Sequence, residues 1–87
     1  MHLGQDTVVK SESVIGIFDM DTSTVSKFTR EFLKKAEKQG RVINVSYELP
    51  KSFVLCKENS KIIIYISQLS SATLEKRADF KKMLSDL

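Results

Sequence analysis

A chain of 87 residues holds one domain and leaves no room for a second core. Its 41% hydrophobic content excludes disorder, and its longest apolar run, residues 62–66 (IIIYI), is far too short to cross a bilayer. A net charge of +3 permits a polyanionic partner without requiring one, and the single cysteine excludes an internal disulfide, which points to a reducing, cytoplasmic setting.

The first ten residues, MHLGQDTVVK, lack the basic start and apolar stretch of a signal peptide. A turn is expected at Gly4–Asp6, then a short strand at Val8 and Val9. In SVIGIFDM, the β-branched and aromatic residues Val14, Ile15, Ile17 and Phe18 predict a strand. Gly16 within it marks a bulge or a close approach by another group. Asp21 to Thr24 offer helix caps, and residues 24–40 have helical period, with Val25, Phe28, Phe32 and Ala36 on one stripe and Leu33 at its margin. Gly40 is the expected stop.

Val42–Tyr47 is the next predicted strand, and Glu48, Leu49 and Pro50 form a turn because proline cannot donate to a central ladder. Ser52–Cys56 and Lys61–Ser67 should pair as a hairpin across the polar residues 57–60. Residues 62–66 are apolar on both faces, which predicts a central strand whose far face is covered by a second helix or by a neighbouring subunit. Ser70 and Ser71 can cap a second helix, and Phe80, Met83, Leu84 and Leu87 make a narrow apolar seam, an interface helix or a tail.

The fold expected is α+β: a small, mostly antiparallel sheet with one main amphipathic helix and a short C-terminal helix, in a single domain over residues 1–77, with 78–87 as a helical extension or tail. A domain this small buries only about 60% of its unfolded surface, so self-association through Ile62, Ile64, Ile66, Phe80 and Leu84 is expected.

Catalytic groups are scarce. His2 is a terminal surface residue, and Cys56 has no histidine partner and reads as a buried structural thiol. One cysteine and one histidine do not make a zinc site within a single chain. Asp19 and Asp21 are explained by helix capping, and the three glycines form no phosphate loop. No enzyme activity, metal, cofactor or small-molecule substrate is expected.

Basic residues are the remaining chemistry. Lys27, Arg30, Lys34 and Lys38 share a helix face on which Glu31 can pair with them, so that face reads as solvated and self-paired. Lys51 opens one strand after a proline, and Arg41 opens the strand before it, with Lys57 and Lys61 placed at the opposite end of the sheet. Lys76 and Arg77 follow on the last helix. Loops fixed by a rigid sheet suit phosphate contacts. With two tyrosines and no tryptophan, a stacking platform for single strands is poorly supplied, so duplex phosphates fit better. Lys51, Arg77, Lys76 and Arg41 are the candidate nucleic-acid contacts.

The runs EFLKKAEKQGRVINVSYELPKSFVL and YISQLSSATLEKR, with the leader HLGQDTVVK and VIGIFD, resemble the bacterial extracellular-matrix regulatory proteins of the RemA/RemB-like family, the RemB-like branch more than the other. The resemblance covers residues 2–77, and its most specific parts are Pro50–Ser52 and the pattern at Ser70–Arg77. It implies a fold related to the LytTR DNA-binding type, a ring assembly and DNA binding that activates matrix genes for biofilms. It also implies DNA contacts from basic residues in the loop before the fifth strand. That loop here is Glu48-Leu49-Pro50-Lys51, with Lys51 its one cation; Ser13 stands where the RemA branch has an arginine, and Arg77 keeps the arginine of the final helix. Two readings stay open: a DNA-binding homo-oligomeric regulator, and a protein-interaction module or partner of a DNA-binding paralogue. Salt dependence of binding distinguishes them.

Overall fold

The computed structural model describes residues 1–23 and 26–85, and the side chains of residues 1–21 and 26–78. In chain order the elements are β1 (His2–Gly4), β2 (Thr7–Val8), a 3-10 turn at Ser11–Ser13, β3 (Val14–Asp19), α1 (Met20–Ser23), α2 (Lys27–Lys38), β4 (Val42–Asn44), β5 (Ser52–Glu58), β6 (Lys61–Ser67) and α3 (Ser71–Ser85). β1 and β2 form an antiparallel hairpin around the expected turn, where Gly4 and Gln5 take positive φ.

The main sheet has the order β3-β5-β6-β4. β5 and β6 pair antiparallel from Ser52 opposite Ser67 to Glu58 opposite Lys61. Their loop is tighter than the expected four residues. Asn59 and Ser60 alone turn the chain, both at positive φ (51° and 67°), the backbone of a two-residue hairpin whose twist matches its strands. β3 pairs antiparallel with β5, and its register slips between Val14 and Gly16. Gly16 serves a second purpose: a Cβ there would lie 2.8 Å from the ring of Phe18, which folds back along its own strand.

β4 departs from the expected antiparallel pattern. It runs parallel to β6, with Val42 opposite Ile64, so the sheet is mixed. It is also three residues long rather than six. Val45 still donates to the Ile66 carbonyl, but beyond it the Ser46 hydroxyl accepts from Glu48 N and bends the chain away, leaving Tyr47 exposed.

β6 is central, and its two faces enter two cores. Tyr65 and Ile63 face a cluster with Leu3, Val9, Val45, Val54, Cys56 and Leu74. Ile64 and Ile66 face the other, with Ala36, Phe53, Leu33 and Leu55. The far face is therefore covered within one subunit, by Leu3 and Val9 from the N-terminal segment and Leu74 of α3, and the doubly apolar strand needs no neighbour to shield it. Two buried serines tie these layers together: Ser67 Oγ donates to the Leu3 carbonyl at 2.6 Å, and Ser52 Oγ donates to the Leu69 carbonyl at 2.7 Å.

α2 begins later than expected, after Ser26, and Val25 lies outside the described residues. Its end is the expected one. Arg41 N donates to the Ala36 carbonyl and Gly40 N to that of Glu37, the paired bonds of a Schellman cap, with Gly40 at φ 70°. The buried face differs from the predicted stripe. Leu33 and Ala36 pack on the sheet, whereas Phe28 is 84% exposed and Phe32 partly so. The helix must deliver the chain to β4 at the far edge of the sheet, and it meets the sheet through its C-terminal half. Ser70 caps α3, its Oγ accepting from Thr73 N at 3.1 Å. α3 runs unbroken to Ser85, so it is a long helix rather than a short one and passes without a break through residue 78.

Candidate nucleic-acid interface

Lys51 stands where the chain enters β5. Its N–H donates to the Ser67 carbonyl at 2.9 Å, and its own carbonyl accepts from Met20 N at 3.0 Å. The backbone is held on both sides while the side chain is exposed. A cation fixed at its root but free at its tip is suited to a phosphate, because the ordering of the backbone is already complete before binding.

Lys76 and Arg77 come from α3, whose start lies at the same end of the sheet as Lys51: Ser67 pairs with Ser52, and Leu69 accepts from Ser52 Oγ. Along the helix, Lys76 is about 8 Å beyond Ser71 at 1.5 Å per residue. Both basic residues are exposed. The Arg77 guanidinium donates to the His2 carbonyl at 2.9 Å, so part of its donor set holds the N-terminal hairpin against α3.

Arg41 is placed elsewhere. Because β4 is parallel to β6 and β5 antiparallel to it, the start of β4 lies toward the end of β5, near Lys57 and Lys61, rather than beside Lys51. Ile62, which Arg41 touches, is five residues from Ser67, about 17 Å along a strand. Arg41 is half-buried, with Nε donating to Gln39 Oε1 at 2.8 Å and a terminal nitrogen to the Ile62 carbonyl at 3.1 Å. It serves as a brace between the α2 cap and the sheet edge.

The apolar residues expected at an oligomer surface are also redistributed. Ile64 is fully buried and belongs to the subunit's own core, while Ile62 and Ile66 are half-buried. Phe80 and Leu84 have side chains outside the described residues. Among the described residues, the large apolar groups that reach solvent are Val8 on the N-terminal hairpin, Ile43, Tyr47 and Leu49 around β4 and the loop leading to Lys51, and Ile15, Phe18, Phe28 and Phe32 on β3 and α2. Sequence periodicity placed Phe28 and Phe32 in the core; it reports which residues share a helix face, not what lies beneath that face.

Two buried acids are perturbed. Burial, with a smaller contribution from the Glu58 carboxylate, pushes the Cys56 thiol up to about 11. Burial and the hydrogen bond to Glu58, at 2.7 Å, push Tyr65 up to about 12. Both side chains are thus held neutral and inert. Among the described residues no cluster of histidine, cysteine and carboxylate groups is built to hold a metal, and no helix is long and apolar enough to cross a membrane. On α2, Lys27, Arg30, Lys34, Lys35 and Lys38 are all exposed, and among the described residues no ion pair joins them to Glu31, so the self-pairing expected of that face does not form.

The fold is thus an α+β domain, a small mixed sheet with cations on its loops and last helix. The chain belongs to the RemA-like family, described as extracellular matrix regulatory protein A-like, whose model matches residues 1–78. It is similar to extracellular matrix regulatory protein B of Bacillus subtilis (strain 168), with 42% identity over 80 residues that cover 92% of this chain and 90% of that protein. No solved structure matches the chain.

Proposed function

We propose that this chain is a non-enzymatic, DNA-binding transcriptional regulator of extracellular-matrix genes that works as a homo-oligomer. Each subunit supplies a few phosphate contacts, and assembly multiplies them through effective concentration. The observation that carries the reading is Lys51, with its backbone clamped between Ser67 and Met20 and its side chain exposed. Lys76 lies further along α3, which runs from that end past β3, and Arg77 contributes the donors not engaged by His2. Membership of the matrix-regulatory family supports the regulatory role. Exposed Ile43, Tyr47 and Leu49 supply apolar surface for subunit contacts beside the DNA-facing end. The second reading, a protein-interaction module without DNA binding of its own, is favoured by one observation: the loop from Glu48 to Lys51 carries a single cation against one carboxylate.

Fluorescence anisotropy of a labelled duplex across a salt series tests the proposal. Log affinity falls with log salt at a slope near −0.9 per phosphate neutralised, so Lys51→Ala should flatten the slope by about 0.9 for each subunit in contact. Arg41→Ala should leave the slope unchanged and lower the melting temperature instead. An absence of binding at low salt, or a slope unmoved by Lys51→Ala and Lys76→Ala, rejects DNA binding through this surface.

A further inference from the structure

The chain's net charge of +3 is concentrated on one helix. α2 carries five of the 14 lysines and arginines (Lys27, Arg30, Lys34, Lys35 and Lys38) and two of the 11 carboxylates, Glu31 and Glu37. Nine cations and nine carboxylates remain for the rest of the chain, so the whole positive excess belongs to α2.

The helix also aims that charge. Ala36 is fully buried against Phe53 and Ile64, and so marks the side of α2 that faces the sheet. At about 100° per residue, Lys27, Lys34 and Lys38 fall within about 20° of the point directly opposite, and Arg30 about 60° to one side of it. All four are exposed. From Lys27 to Lys38 they form a line about 16 Å long at 1.5 Å per residue. Among the described residues none of the four side chains has an ion-pair or hydrogen-bond partner. Towards the end of the line, Lys34, Lys35 and Lys38 border a shallow cleft of about 270 Å³ together with Glu31, the one carboxylate close to the line.

The surroundings of the line decide what it fits. An anionic membrane takes apolar groups inserted beside the cations, a protein interface takes an apolar core, and a nucleic-acid single strand takes aromatic rings to stack on. Phe28 and Phe32 lie within about 80° of Ala36, on the sheet side of the helix, and the outward side holds only Lys27, Arg30, Glu31, Lys34, Lys35 and Lys38. A duplex asks for charge alone. It presents one phosphate per about 3.4 Å of axis on each strand, so a line of about 16 Å runs beside about five phosphates of one strand. We propose that the outward face of α2 is a second contact surface for duplex DNA, laid along one phosphate strand and so carrying little preference for base sequence. The inference rests on the reading above for the class of ligand only. It shares no residue with the Lys51 end, and either surface can fail without the other.

The test titrates the full chain into a labelled duplex of mixed sequence over a salt series. Lys27→Gln, Lys34→Gln and Lys38→Gln combined should flatten the slope of log affinity against log salt by about 2.7 per bound subunit, at about 0.9 for each phosphate contact. Glu31→Gln removes the carboxylate beside the line and should tighten binding about two- to fivefold, the range of an exposed charge pair. Circular dichroism melts check that the variants fold, and Glu31→Gln carries the test alone should the triple variant fail to. Lys51→Ala separates the two surfaces. If it abolishes binding while the triple variant keeps the parent slope, the α2 surface is overturned and the Lys51 end stands. If Lys51→Ala is silent and the triple variant flattens the slope, α2 is upheld and the Lys51 end falls. The α2 surface is also overturned by an absence of duplex binding in the parent, by tighter binding of a single strand, or by a Glu31→Gln protein that binds no more tightly. Lysine-dependent binding to phosphatidylserine vesicles in place of duplex overturns it as well, and would make a membrane the partner.

Discussion

Replacing Ser67 with alanine removes one oxygen that serves two partners. Its hydroxyl donates to the Leu3 carbonyl at 2.6 Å and accepts from Leu69 N at 3.0 Å, and both Ser67 and Leu3 are fully buried. No water replaces the lost oxygen without opening the layer, so the Leu3 carbonyl and the Leu69 amide lose partners together. An orphaned buried group costs about 1–3 kcal/mol, and with partial relaxation the pair should cost about 2–3 kcal/mol. A domain of 87 residues has roughly 4–13 kcal/mol in total at the usual stability per residue, so the loss is a large fraction. The melting temperature should fall by about 10–20 °C at the 4–8 °C per kcal/mol of small domains. Thermal and urea denaturation followed by circular dichroism measure this. Hydrogen exchange locates it: Val9 N–H, which donates to the Met1 carbonyl, should exchange faster than the β5–β6 amides as the N-terminal hairpin lifts. Ser52→Ala, which removes a single bond to Leu69, should cost about half as much. A Ser67→Ala protein within about 0.5 kcal/mol of the parent, or one whose hairpin amides are no more exposed than the rest, would refute the idea that this hydroxyl straps the hairpin down.

Three further outcomes are expected. Ser60→Gly should stabilise the fold by about 0.5–1 kcal/mol in urea denaturation, because Ser60 sits at φ 67° in a loop that prefers glycine there. Cys56 should resist a thiol reagent at pH 8 in the folded protein and react at the free-thiol rate in denaturant, since the thiol is buried and raised to about 11. Stability should decline as pH rises from about 9 towards 12. Cys56 is raised from 9.0 to about 11 and Tyr65 from 10.0 to about 12, so over that window the unfolded chain sheds protons that the folded chain keeps. Tyr65→Phe should remove the upper part of that decline in alkaline denaturation.

The elements built from local chemistry were legible. Gly40 could be assigned as a helix stop because only the left-handed region fits the closing bonds, and Ser70 as a cap because its hydroxyl replaces a missing backbone acceptor. The β5–β6 hairpin was visible in its alternation and polar turn. The pairing of β4 was not. A strand's own residues mark it as a strand, but whether it runs with or against its neighbour is settled by the connection before it. Here α2 carries the chain across the sheet, so β4 arrives parallel to β6 on the outer side.

Four basic residues read as one rim in the sequence, but β4 runs opposite in direction to β5, so Arg41 lies most of a strand from Lys51 and braces the α2 cap. The crossover carries α2 over the sheet to its outer side. It also explains why the phenylalanine stripe fails as core. A helix that ends above β4 leaves its first turns over β3 and β5 without close support, and Phe28 and Phe32 reach solvent. The same path leaves an apolar surface around Phe28 and Phe32, over Phe53 and Leu55 of the sheet. A chain this small keeps exposed aromatic groups at a cost in solubility, because too little of the helix lies close enough to the sheet to bury them.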